Sequence, residues 1–86
     1  DLHGDPVTNP QRLVRGMLGH RKQREGQILR LLRTQSATIA VMVERMYVGI
    51  DPRLFPAAER SVLAHLIDLA QRGEVCADGD VWSVKE

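Results

Sequence analysis

A mainly α fold closed by a small β-hairpin is what this sequence predicts, on three observations. Apolar residues recur at helical spacing in three separate stretches, through Ile28, Met42 and Leu66. Start and stop signals stand around those stretches: Asn9-Pro10, Thr38, Gly49 and Gly73. Asp78-Gly79 then divides two short β-prone runs, a strong hairpin signal.

Residues 1–8 place a Gly and a Pro close together and read as a loop or linker. Asn9 can cap free helix amides, and Pro10 suits the first helical position. A first, long helix is expected over 10–34. Leu13, Met17, Ile28 and Leu31 share one face, with Val14, Leu18 and Leu32 beside them. Between them, residues 19–26 (Gly-His-Arg-Lys-Gln-Arg-Glu-Gly) carry no apolar side chain and form a polar waist. Two helices meeting near Gly19 are the alternative. Arg21 and Glu25 are spaced to pair on the surface, for about 0.3–0.5 kcal/mol.

Gln35-Ser36-Ala37 reads as a turn, and Thr38 as the cap of a second helix over 39–48. Ile39, Met42, Val43 and Met46 point inward on that reading; a short strand over 37–39 is a further expectation. Gly49-Ile50-Asp51-Pro52 ends the helix. Pro56 opens a third helix over 56–72, with Ala58, Val62, Leu66 and Leu69 as its inward stripe, flanked by Leu63, Ile67 and Ala70. Gly73 is its stop. In the tail, Asp78-Gly79 as the loop sets Val75 opposite Trp82, and Cys76 reads as a small buried apolar residue. A two-stranded hairpin is marginal alone, so it must rest on the helices. Long helix, possible short strand, two further helices and a C-terminal wing: the order is that of a winged helix-turn-helix, assigned to residues 9–86.

Composition bounds the function. Of the 86 residues, 43% are apolar and 27% charged, an ordinary globular balance, and the net charge is +1. That charge is unevenly spread. Residues 1–35 are net basic and could attract phosphates, whereas residues 36–86 are net acidic. The single cysteine excludes an internal disulfide or a cysteine metal cluster, and a cytoplasmic setting is expected. No apolar run approaches the roughly 18 residues of a membrane span. No signal peptide is read at the start, and a chain beginning at Asp1 reads as part of a longer one.

Three stretches carry a family resemblance. They are His3-Gly4-Asp5-Pro6-Val7, the segment His20-Arg21-Lys22-Gln23-Arg24-Glu25-Gly26-Gln27-Ile28-Leu29, and Ala58 through Leu69, containing Ala64-His65-Leu66. They resemble the His-Gly-x-Pro-Val loop, the His-Arg-x-x-Arg-Glu-x-x-Ile-Leu segment and the His-Leu-x-x-Leu helix of metallo-β-lactamase-fold hydrolases of the β-lactamase-like protein 2 type. The resemblance implies that this chain is the C-terminal winged-helix domain of such a hydrolase, and that residues 1–8 end the catalytic-domain loop. It implies a catalytic body with one or two zinc ions, some of whose relatives cleave single-stranded RNA. The His-x-His-x-Asp-His metal motif of that body is not in this sequence, and His3 matches the last metal ligand of the intact parent. Zinc would lower the pKa of a bound water toward about 7 and supply hydroxide for attack on an ester or phosphodiester.

The candidate contact residues are Arg21, Lys22 and Arg24 of the waist. They are suited to RNA phosphates, which basic side chains contact without sequence demands, or to the catalytic domain of the same parent chain. The plain reading of the same residues is a solvated helix face. The alternative function is a winged-helix transcription regulator acting on duplex DNA. Its reading helix would show Glu59, Arg60, Ala64, Asp68 and Gln71, and its wing Asp78 and Asp80, a poor footprint for duplex phosphates. Tyr47 and Trp82 fit packing better than base stacking. No paired carboxylates, Gly-rich phosphate loop or Ser-His-Asp set is present, so no catalytic residue and no cofactor is assigned to these 86 residues.

Overall fold

The computed structural model describes the backbone of residues 10–86 and, apart from residues 10 and 12–18, their side chains. The elements run α1 (Pro10–Thr34), β1 (Ala37–Thr38), α2 (Ile39–Met46), a 3-10 turn (Pro52–Leu54), α3 (Phe55–Gln71), β2 (Val75–Asp78) and β3 (Val81–Val84). The three strands form one antiparallel sheet in the order β1-β3-β2. This is the winged helix-turn-helix arrangement, mainly helical as the sequence predicts.

The first helix is continuous through its polar waist, with the bounds expected from Asn9-Pro10 and the Gln35 turn. Gly19 does not divide it. Ile28 and Leu32 are buried and Leu29 and Leu31 pack beside them. The expected contributions of Leu13, Val14, Met17 and Leu18 lie outside the described residues, as does the loop reading of residues 1–8.

Thr38 ends β1 and caps α2 at once. Its backbone is extended, and its hydroxyl accepts from the Val41 N–H at 3.3 Å. The short strand therefore stops at Thr38, and Ile39 is already helical. α2 ends two residues earlier than the expected Val48. Tyr47 leaves the helical region (φ −119°, ψ 51°), Gly49 takes φ +80°, and Val48 is left 83% exposed.

Asp51 caps the 3-10 turn, accepting from the Arg53 N–H at 2.9 Å, and α3 grows out of that turn at Phe55, one residue before Pro56. Ala58, Val62, Leu66 and Leu69 are its buried residues, as the 3.6-residue period requires. Leu63 and Ile67 flank the stripe but stay 38% and 47% exposed. The helix closes with a pair of bonds that only a left-handed residue permits: Gly73 N–H to Ala70 O at 3.0 Å and Glu74 N–H to Leu69 O at 2.9 Å, with Gly73 at φ +76°.

The hairpin exists, with its loop one residue later than expected and its pairing therefore shifted by two. Asp78 pairs with Val81 and Val75 with Val84, so the two-residue loop is Gly79-Asp80 and Trp82 stands opposite Ala77. Gly79 takes φ +63° while Asp80 keeps a negative φ, the pattern of a hairpin turn with glycine first. The strand also corrects the reading of Cys76. Side chains alternate along a strand, Val75 is 2% exposed and faces the helices, and so Cys76 faces outward and is exposed. β3 lies in the middle of the sheet, where Trp82 pairs with Ala37 and Ser83 Oγ lies 2.9 Å from Ser36 Oγ.

The core is made of Ile28, Leu32, Ala37, Met42, Val43, Ala58, Val62, Leu66, Leu69 and Val75, and no polar side chain among the described residues is buried with them. The three helices supply it together with β1 (Ala37) and β2 (Val75), and β3 packs against it through the half-buried Trp82 and Val84. The core lies behind the C-terminal half of α1 and leaves the polar waist outside.

Candidate functional site

The waist of α1 runs past α3, and the space between them is an open cleft of about 470 Å³. His20, Arg21 and Arg24 line it from α1, Tyr47 from the exit of α2, and Ser61, Ala64 and His65 from α3. The i, i+3, i+4 spacing of His20, Arg21 and Arg24 puts them on one helix face, and Ser61, Ala64 and His65 repeat that spacing on the other.

Arg24 is held in place. Its guanidinium lies 4.2 Å from the centroid of the Tyr47 ring. Its Nη1 donates to the Met46 carbonyl at 3.3 Å and to Gln27 Oε1 at 3.0 Å. The Met46 carbonyl belongs to the last turn of α2, where a cation is favourably placed. Arg24 thus ties the waist to the end of α2 and contributes a fixed positive charge to the cleft wall. Arg21 and Lys22 are exposed. Of the three expected contact residues, Arg21 and Arg24 come together at the cleft, and Lys22 does not line it.

Glu25 does not serve Arg21 as the spacing suggested. Arg72, just past α3, takes it at 2.9 Å and also holds Asp68 at 3.0 Å and Glu74 at 3.6 Å. A tertiary partner arriving from another element displaces the i, i+4 pairing. These carboxylates, Glu25 first, push the Arg72 pKa up. The effect is to gather the nearby negative charge on one arginine beside the cleft.

In the sequence His65 stands out only for its place in the His-Leu segment; the fold sets it in the α3 wall of the cleft. Burial, and next the charge of Arg21, hold its imidazole below the ordinary 6.5, with Arg24 adding to that and Glu25 and Asp68 opposing it. No local spacing relates His65 to His20 and Arg21. Helical periodicity does put Ser61, Ala64 and His65 on one side of the buried stripe, which was the available signal.

Around the wing, Asp78 and Asp80 are exposed at the hairpin end. On α3 the expected reading positions Arg60, Ala64 and Gln71 are exposed, and Glu59 and Asp68 are half-buried. A smaller cleft of about 130 Å³, lined by Ala40, Val43, Glu44, Phe55 and Glu59, is apolar with two carboxylates. Tyr47 and Trp82 both pack against the core, as expected. Among the described residues no group of three or more His, Cys, Asp or Glu side chains could hold a metal ion, and no helix is long and apolar enough to cross a membrane. His3, the position matched to a zinc ligand, lies outside the described residues.

Comparison with the curated proteins returned no match. Residues 38–82, from the cap of α2 into β3, match the family described as beta-lactamase associated winged helix domain. That match takes in the whole helix-turn-helix and most of the wing, over half of the 86 residues, and the chain belongs to the beta-lactamase associated winged helix domain family.

Proposed function

We propose that this chain is the C-terminal winged-helix domain of a zinc-dependent metallo-β-lactamase-superfamily hydrolase, where it flanks the active site and helps to position substrate. Single-stranded RNA is the substrate we favour. The observation that carries the reading is the family match, taken with where the basic side chains stand. A winged helix that reads duplex DNA presents basic groups on α3 and on the wing. Here the wing tip shows Asp78 and Asp80, and two arginines of the waist, Arg21 and Arg24, line the α1–α3 cleft instead. Zinc chemistry belongs, on this reading, to the catalytic body, with His3 as that body's last ligand. The part we assign to the described residues is to hold a negatively charged strand beside that body.

The cheapest test is the coding sequence upstream of Asp1, which is expected to hold a His-x-His-x-Asp-His motif within about one domain length, roughly 100–150 residues. Its absence would remove the hydrolase. A gel shift of the 86-residue chain with duplex DNA at low salt separates the competing class: strong, salt-sensitive duplex binding would establish a regulator instead.

A further inference from the structure

The α1–α3 cleft has a composition that its role as a surface groove does not require. Two imidazoles, two guanidiniums, a phenol and a hydroxyl line it, and among the described residues no carboxylate does. His20 and Arg21 are exposed on the α1 wall, and on the α3 wall Ser61 is exposed and His65 half-buried. Arg24 is already committed to Tyr47, the Met46 carbonyl and Gln27, so it supplies charge without moving. The acids close enough to neutralise the cleft, Glu25 and Asp68, are instead held by Arg72 at 2.9 and 3.0 Å. Ala64 keeps the floor of the α3 wall short. A volume of about 470 Å³ falls in the range of small-molecule sites and takes a nucleotide-sized group.

We propose that this cleft is a phosphate-binding site, formed by His20, Arg21, Ser61 and His65 beside the fixed charge of Arg24, and that its ligand is a phosphodiester of a single-stranded nucleic acid. The inference rests on the function proposed above only for the source of the phosphate; the chemistry of the cleft stands apart from it. Non-bridging phosphate oxygens need several donors in a small space. The Arg21 guanidinium offers a planar fork, the Ser61 hydroxyl one donor, and each imidazole one N–H when neutral and two when protonated.

Bound anion and proton also help each other. Facing His65 are Arg21, Arg24 and Glu25 from α1, Asp68 from α3, and Tyr47 from the exit of α2, with His20 in the same cleft. The two arginines oppose protonation of the ring, and a phosphate between them and the imidazole offsets that opposition. Phosphate binding therefore takes up protons, and affinity rises as pH falls through the imidazole range.

The experiment is a titration of the 86-residue chain followed by the ring signals of His20 and His65 in NMR. The probes are inorganic phosphate, uridine monophosphate, the dinucleotide UpU and acetate, all at matched ionic strength. Saturable shifts with phosphate and UpU are expected, with UpU, a diester whose charge does not change in this range, binding tighter at lower pH and the His65 pKa rising on saturation. R21Q should weaken UpU binding about tenfold, the loss of one charged hydrogen-bonding partner, while R33Q, an exposed change outside the cleft, leaves it unchanged. Dispersed amide signals in both variants establish that the fold is intact. Shifts that never saturate, equal effects of R21Q and R33Q, acetate acting as well as phosphate, or a response to the monophosphate alone would each overturn the assignment. The titration involves no catalytic body, so a cleft that binds UpU in a chain whose upstream sequence lacks the metal motif would leave this inference standing and remove only the hydrolase.

Discussion

Leu66 to alanine tests the packing argument most directly, because α3 carries its own control. Leu66 is fully buried, whereas Leu63, on the same helix three residues earlier, is 38% exposed. Both substitutions exchange leucine for alanine in a helix interior, so the helix-propensity term is nearly the same in each. What differs is the packing lost. Leu66 sits with Ile28, Met42, Leu69 and Val75 in a core to which α1, α2, α3 and β2 all contribute. Removing its isopropyl end opens a cavity none of them can fill without moving the others, and the cost is about 2–5 kcal/mol. For a chain of 86 residues, total stability is about 4–13 kcal/mol. L66A thus removes a large share of it and lowers the Tm by about 10–30 °C. L63A should cost about 1 kcal/mol or less. Thermal and urea unfolding followed by far-UV circular dichroism read both variants. Equal losses in the two, or a loss below about 1 kcal/mol for L66A, would refute the assignment of the buried stripe.

Three smaller perturbations follow from single contacts. Thr38→Ala removes the oxygen that accepts from Val41 and should cost about 1 kcal/mol in urea unfolding, with Thr38→Ser keeping most of it; no difference between the two would mean the cap is idle. The folded-state pKa of His65 lies below 6.5, so the unfolded chain protonates first as pH falls. Stability contributed through this group is then present above pH 6.5, declines as pH drops from that value to the folded-state pKa, and is level below it. His65→Gln should flatten that part of the urea-midpoint profile, and an unchanged slope would disprove the link. Cys76 faces outward, so a thiol reagent should modify it fully in the native chain, and Cys76→Ser should change stability by less than about 0.5 kcal/mol; a protected thiol would mean the outer face of β2 is covered.

Much of the fold was legible because it is written in local chemistry. The ends of α1, the Thr38 cap and the Gly73 stop each depend on residues within a few positions of one another. The stripe Ala58, Val62, Leu66, Leu69 follows from helical period alone. The errors fall where local rules leave a tie. Asp78-Gly79 and Gly79-Asp80 are both acceptable hairpin loops. The choice between them decides which residue faces Trp82, although either register leaves Val75 and Cys76 on opposite faces of their strand. The reading of Cys76 failed for a related reason: a small apolar residue in a strand fits either face, and it is Val75, needed in the core, that turns Cys76 out. The pairing of Arg21 with Glu25 failed because Arg72 reaches Glu25 from outside the helix.

The sequence by itself determined three helices, a closing hairpin and a basic waist too polar to join the core. These depend on period, capping and turn chemistry, interactions that a short segment satisfies without the rest of the chain. Only the tertiary structure decided that β1 completes the sheet beside β3, that Arg24 anchors to Tyr47 while Arg21 stays exposed, and that His65 meets His20 and Arg21 across one cleft. Those contacts join residues far apart in the chain, and they form only once burial of the shared apolar core has fixed α1 against α3.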